Sequence, residues 1–379
     1  MKTRYDIIII FALAALTLAG CRQTPVEEPE GDYISFGPTA AASAQDTRSG
    51  AGSSLVEEDT ELQASSFGIY GYKSNDDKKG FVNVFTTTSA QEVYYTATEL
   101  TQTNTAGITW TAPAGTWTYN DRQKWERKKY YRFRAYWPYD KANINKASTA
   151  KFLAVEYKQG EDYDLMVAYA TRCPAIDKTD EDPTGTRKVP MQFHHALAGL
   201  RFNFKFKDGL TNVSDVVTGF YVKGLYLSGT MIYGEANEDD KAETLRWNVG
   251  SNNFNSDDKV FSWTGTSDES DSDCRIFSVG STSDDKTVAT VFDNDKVVFA
   301  IPQTLSEYDY RPTYVYFTTK SGGDTVQSAK LWDSTNKVGI KLESGKIYTF
   351  TLVISGSSVK VNVDIEDWTE TQSNIDIPF

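Results

Sequence analysis

The sequence predicts an all-β protein, with two consecutive β-sandwich domains after an export segment. Three observations carry that expectation. Aromatic residues are abundant, 22 Tyr, 20 Phe and 8 Trp against 4 Met, which favours strands over helices. Short stretches alternate apolar and polar residues with a period of two, and clusters of Gly, Asn, Asp and Ser separate them, as strands joined by turns require. Finally, 379 residues exceed the size at which one hydrophobic core usually stops growing.

Residues 1–20, MKTRYDIIIIFALAALTLAG, read as a signal peptide. Lys2 and Arg4 make a basic start, and Ile7 to Leu18 form an apolar core too short to span a bilayer comfortably. The stretch ends in Leu18-Ala19-Gly20-Cys21, which resembles a bacterial lipobox with Cys21 as the acylated residue. No later stretch approaches the roughly 20 apolar residues of a membrane helix. The mature chain is therefore expected to be held at a membrane through lipid on Cys21 and not threaded through it.

Arg22 to Asp32, RQTPVEEPEGD, is polar, acidic and proline-bearing, as a tether should be. A short apolar alternation, Tyr33 to Phe36, follows as the first strand. Next comes a run of small and polar residues, AASAQDTRSGAG, in which Arg48 is the only basic residue between Arg22 and Lys73. Strand signals resume at Phe67 to Tyr72. The clearest strand is Leu200 to Phe206, where Leu200, Phe202, Phe204 and Phe206 share one face. Further strands are expected at Tyr221 to Leu227, Val297 to Ile301, Tyr314 to Phe317, Tyr348 to Ile354 and Val359 to Ile365. Gln123 to Arg132 and Thr211 to Val217 are the only helical candidates, expected to give short turns at most. Many short strands bury a core by stacking sheets.

The formal charge of −13 becomes −14 once Lys2, Arg4 and Asp6, a net +1, leave with the leader. That balance argues against nucleic acid as a partner. The basic, aromatic stretch Gln123 to Arg134 therefore reads as a solvated, strand-flanking face. Its aromatic surroundings also suit a carbohydrate platform, since core and surface aromatics look alike in a sequence. Export permits a disulfide between Cys173 and Cys274, but sequence gives no geometry for it. His194 and His195 are the only histidines; neighbours on a strand face opposite ways and chelate one metal poorly. A structural role suits them, and a Ser-His-Asp or Cys-His hydrolase has no material. The acidic stretch TSDESDSD, residues 266–273, lacks the spacing and glycine of a calcium loop. No enzymatic activity, cofactor or metal is expected.

Several landmarks taken in order resemble the fimbrillin family, the lipoprotein-derived subunits of Bacteroidales type V pili. They are the lipobox, the strand Tyr33 to Phe36 followed by Thr47-Arg48, GIYGY (68–72), TWTYNDRQKWERKKYYRFRAYWPYD (116–140), YDLMVAYATR (163–172) and MQFHHALAGLRFNFKF (191–206). VFAIPQTL (298–305), SGKIYTFTLVI (344–354) and VNVDIEDW (361–368) complete the series. The resemblance implies two sandwiches of transthyretin-like, Greek-key topology and a structural, non-enzymatic role in a surface fimbria that supports adhesion. With the turn Phe206-Lys207-Asp208-Gly209-Leu210 taken as the passage to a second domain, the expected parts are 1–20 lipoprotein signal peptide, 21–48 lipidated tether and removable first strand, 49–208 N-terminal domain, and 209–379 C-terminal domain with a donor strand at its end. The resemblance further implies transport to the outer membrane and cleavage at Arg48-Ser49 by a trypsin-like or arginine-specific protease. The first strand then leaves with the lipid, and a neighbouring subunit's strand fills the groove. Arg172 and Arg187 also lie in expected loops.

In the segment Ile375 to Phe379, the residues Ile375, Ile377 and Phe379 alternate and would be the side chains a donor strand inserts. The same alternation suits a final strand packed on its own domain. Val359, Val361, Val363 and Ile365 leave the same choice open. Partners implied are other fimbrial subunits in a homopolymer or at tip and anchor, the protease, the outer membrane through Cys21, and a host or bacterial surface receptor. An alternative on the same scaffold is an anchored or pilus-tip adhesin that binds a glycan or host protein without polymerising.

Overall fold

A computed structural model describes residues 33–40 and 59–367, apart from 87, 104–106, 108, 127, 142–146, 159–162, 173–187, 207–216, 227, 236–242, 250–259, 265–275, 279–287, 292–296, 306–312, 320–325, 332–338 and 356–357. The described residues are almost entirely β. In chain order the first strands are β1 (Ser35–Ala40), β2 (Phe67–Ser74), β3 (Val82–Asn83), β4 (Gln91–Thr96), β5 (Leu100–Thr103), β6 (Thr109–Ala112), β7 (Thr116–Thr118), β8 (Tyr130–Trp137), β9 (Ala147–Ser148), β10 (Phe152–Lys158), β11 (Met166–Arg172) and β12 (Lys188–His195). There follow β13 (Ala198–Phe206), β14 (Val217–Lys223), β15 (Ser228–Glu235), β16 (Glu243–Asn248), β17 (Val260–Thr264), β18 (Ile276–Ser278), β19 (Val288–Val291) and β20 (Val298–Ala300). The last are β21 (Thr304–Leu305), β22 (Tyr314–Thr319), β23 (Val326–Lys330), β24 (Ile340–Lys341), β25 (Lys346–Ser355) and β26 (Ser358–Asp367).

The first large sheet has the order β1-β12-β11-β8-β2-β4-β7, with β3 beside β2. One face buries Phe67, Ile69, Tyr131, Phe133, Met191 and Phe193. The other buries Tyr70, Tyr72 and Tyr136 beneath the sheet β16-β15-β10-β9. Covering on both faces explains why every residue of β2 but Lys73 is buried, where a one-sided sheet would alternate. Gly68 makes room for this stacking. A Cβ there would sit 2.2 Å from the Tyr136 ring, which belongs to the residue paired with it across the ladder.

A six-stranded sheet, β18-β19-β13-β25-β26 with β20 on β13, faces the sheet β17-β14-β22-β23. Leu200, Phe202, Phe204, Phe220, Phe317 and Phe350 fill the space between them. The period-two pattern of Leu200 to Phe204 thus does what it predicts. Sheet membership crosses residue 208: β13 precedes it and joins the later sheet, whereas β15 and β16 follow it and join β10.

Three expectations are corrected. The described residues of Gln123 to Arg132 are not helical. Lys124 bridges to Tyr33 and the chain enters β8 at Tyr130, because the apolar residues of this stretch are placed for a sheet. Thr211 to Val216 lies outside the described residues, and Val217 opens β14. The α-helix among the described residues is instead α1 (Asp59–Leu62), a single turn too short to leave a periodic signal. Arg132 and Arg134 are not solvated, because they lie on the face of β8 that the second sheet covers. Arg134 is fully buried, donating to the Ala150 and Tyr233 carbonyls at 3.1 and 3.4 Å. Arg132 is paired with Glu235.

Candidate functional site

The first strand sits at an edge of its sheet. Among the described residues β1 pairs only with β12, in parallel, from Ser35 opposite Lys188 to Ala40 opposite Phe193. The strand expected at Tyr33 to Phe36 therefore extends further: Tyr33 makes an isolated bridge to Lys124, and the ladder proper runs on through Gly37-Pro38. Proline tolerates this place because an edge strand leaves half its amides without a sheet partner.

Alternation puts Ile34, Phe36, Pro38 and Ala40 inward. Ile34 and Phe36 are buried to within 1%. The Phe36 ring is held by Phe133, Tyr119 and Phe67 with centroids at 5.3, 5.7 and 6.3 Å. Edge-to-face and tilted contacts of this kind add to the area buried. Val189, Met191 and Phe193 complete the floor of the groove.

The start of the strand is clamped by a second set of bonds. Ile34 N–H donates to the Gln123 carbonyl at 2.8 Å. The Tyr119 hydroxyl donates to the Ile34 carbonyl at 3.1 Å and accepts from Gln123 N–H at 3.1 Å. Burial pushes the Tyr119 phenol well above its ordinary value, so it remains a donor throughout the physiological range. Arg122 and Lys124 lie over the Tyr33 ring at 4.6 and 5.2 Å. β1 is thus secured by one ladder, one clamp and a row of apolar side chains. Fully burying Ile34 and Phe36 contributes about 1.5–3 kcal/mol each.

The end of the molecule has its own last strand. β26 pairs with β25 along its whole length, from Asp367 opposite Lys346 to Ser358 opposite Ser355. Val361 is buried in the core and Val363 packs against it. Ile365 is 55% exposed. The alternation Val359 to Ile365 accordingly belongs to this chain's own sheet.

Cys21, Arg48, Ser49, Ile375, Ile377 and Phe379 lie outside the described residues, as do Cys173, Cys274, Arg187 and the acidic stretch 266–273. Arg172 ends β11, opposite Tyr131. His195 is buried with Nδ1 2.6 Å from Asp164 Oδ2, and His194 is half-buried on the opposite face. Among the described residues no cluster of three His, Cys, Asp or Glu could hold a metal ion. Among them, too, no helix is long and apolar enough to cross a membrane. Sequence reasoning missed the Tyr119–Ile34 bond of the clamp and the Asp164–His195 pair, which join residues 85 and 31 positions apart.

Stacked sheets around aromatic cores, with a first strand held at a sheet edge, define an all-β protein. The chain belongs to the fimbrillin-like family, whose sequence profile matches residues 56–368. Its fold is similar to that of a fimbrial protein from Bacteroides vulgatus, at 18% identity over 89% of this chain and 100% of that one, with a TM-score of 0.49. It is also similar to the tip fimbrial protein Mfa3 from Porphyromonas gingivalis with C-terminal truncation, at 10% identity over 89% and 99%, with a TM-score of 0.36. No curated protein sequence matches it. Family membership makes this a fimbrial, cell-surface protein that works with other fimbrial subunits, within a structural and not an enzymatic family.

Proposed function

We propose that the chain is a polymerising subunit of a bacterial surface fimbria. It is exported as a lipoprotein acylated at Cys21 and anchored to the outer membrane. A trypsin-like or arginine-specific protease hydrolyses the Arg48–Ser49 bond, and β1 leaves with the lipid. A strand from a neighbouring subunit then takes its place, with Ile375, Ile377 and Phe379 as inserted side chains, and the fibre supports adhesion. Two β-sandwich units belong to the same reading.

The observation that supports it most is the position of β1. It is an edge strand with one pairing partner among the described strands, seated on an aromatic floor, and residues 41–58 with Arg48 are its covalent link to the rest of the fold. Losing it leaves unpaired backbone on β12 and a bare apolar groove, which an added strand repairs in both respects.

Limited trypsin digestion of the purified precursor tests this. Cleavage at Arg48 is expected to give oligomer ladders that survive heating in SDS, and Arg48→Ala to abolish them. A protein cut at Arg48 that stays monomeric overturns the reading. N-terminal sequencing of the mature surface form is expected to begin at Ser49.

A further inference from the structure

The geometry of β1 also fixes the direction in which its replacement must run. In an extended chain the side chain alternates between faces, and the backbone N–H and C=O alternate between lateral sides in step with it. Because residues are of one hand, every core-facing residue of a strand turns its backbone groups to the same side. Reversing the strand on the same face turns them to the other side.

On β1 the core-facing residues turn away from β12. Ile34 gives its N–H to Gln123. Pro38, also buried, has no N–H and sits opposite Met191. The outward residues Ser35, Gly37 and Thr39 therefore make the ladder. β12 runs parallel to β1, so its own core-facing residues Val189, Met191 and Phe193 turn their backbone groups toward the groove. Pro190 turns its nitrogen away from it.

The segment Ile375-Asp376-Ile377-Pro378-Phe379 can be laid against this edge in either direction, with either set of alternate residues inward. Running as β1 does, with Ile375, Ile377 and Phe379 inward, it presents Pro378 to β12 and leaves a β12 carbonyl without a donor. Shifted by one residue, in either direction, it carries the Asp376 carboxylate into the apolar groove. Reversed, it places three apolar residues inward, each able to exchange both ladder bonds with β12, and turns Pro378 to the free side. We infer that the donor segment Ile375–Phe379 of a second copy enters the groove antiparallel to β12, opposite in direction to the β1 strand it replaces. This rests on the donor-strand reading above.

Disulfide scanning of the assembled polymer tests the direction separately from the reading. Outward residues opposite one another in an antiparallel pair have Cα atoms about 4.5 Å apart, within disulfide reach. Cysteine is placed at Asn374, Asp376 or Pro378 in donor subunits and at Lys188, Pro190, Gln192 or His194 in acceptors. After mild oxidation, intermolecular links are mapped by peptide mass spectrometry, which separates them from links through Cys173 or Cys274. The preferred acceptor position is expected to fall along β12 as the donor position rises from 374 to 378, with matched pairs at least tenfold above swapped ones. A preferred position that rises instead overturns the direction and leaves the donor reading standing. Polymers that give no link to β12, or no polymers after cleavage, overturn the donor reading and the direction with it.

Discussion

Phe36→Ala gives the sharpest test of how β1 is held. The ring is 1% exposed and touches three other rings, so truncation leaves a cavity in a floor that has little reason to collapse. Phe-to-Ala changes in such sites cost about 3–5 kcal/mol, and each 1.4 kcal/mol is about tenfold in an equilibrium. The Val189, Met191 and Phe193 amides face β1. If β1 opens locally, their hydrogen exchange in the uncut precursor should quicken about 10²- to 10³-fold, limited only by global unfolding. Amides of β25 against β13, in the other half of the molecule, should keep wild-type rates. After cleavage at Arg48 and removal of β1, mutant and wild type should be indistinguishable, because the substituted residue has gone. Unchanged exchange on β12 in the precursor, or a difference that persists after β1 has left, would refute the idea that the Phe36 ring anchors β1 in its groove.

Tyr119→Phe removes the hydroxyl that serves both Ile34 and Gln123, leaving the buried Ile34 carbonyl and the part-buried Gln123 amide short of a partner. The precursor should lose about 1–3 kcal/mol in urea denaturation. The same tyrosine contributes to alkaline behaviour together with others, since burial raises Tyr119 and Tyr136 and pushes Tyr70 up to about 12. Groups raised in the fold contribute fully below their unfolded value near 10 and are lost as pH climbs toward the folded values. Denaturation midpoints should hold from pH 7 to 9 and fall above 10, less steeply in Tyr119→Phe. Gly68→Ala forces a Cβ into the Tyr136 ring and should cost about 1–3 kcal/mol in thermal unfolding. Val361→Ala should cost about 1–3 kcal/mol, whereas Ile365→Ser on the exposed end of β26 should stay within about 0.5 kcal/mol.

Periodicity made the sheets legible wherever one face met a core and the other did not. Leu200 to Phe204 is of this kind. It failed where a sheet is covered on both sides. In β8, Arg132 and Arg134 read as solvated because nothing local announces that β10 and β15, whose partner residues come as much as 103 positions later, will lie over them. It also misplaced the end of β1, since Gly37-Pro38 looks like a break until the edge position and parallel pairing are known. At the candidate site, the inward residues Ile34 and Phe36 could be seen in sequence. The Tyr119 clamp could not, because a buried phenol and a distant carbonyl share no spacing.

Exchange of a strand, as proposed, requires a groove that keeps its form while empty, and much of the packing around β1 is independent of that strand. The aromatic floor of the groove has partners that do not depend on β1, and β12 keeps its pairing to β11 at His194 and His195. Phe67 meets Trp117 in a tilted contact and Phe193 edge-to-face, at 5.3 and 5.4 Å. Phe133 lies against Tyr131 and Trp125 at 6.0 and 6.1 Å. β2 and β8 are paired with each other over seven residue positions and β8 is paired with β11 over seven more. Tyr119 loses one partner when Ile34 departs but still accepts from Gln123. Removing an edge strand thus subtracts one ladder and one row of side chains without breaking a central pairing. Had β1 lain between two strands, its loss would have split the sheet. Its place at the edge is what makes release compatible with a folded acceptor.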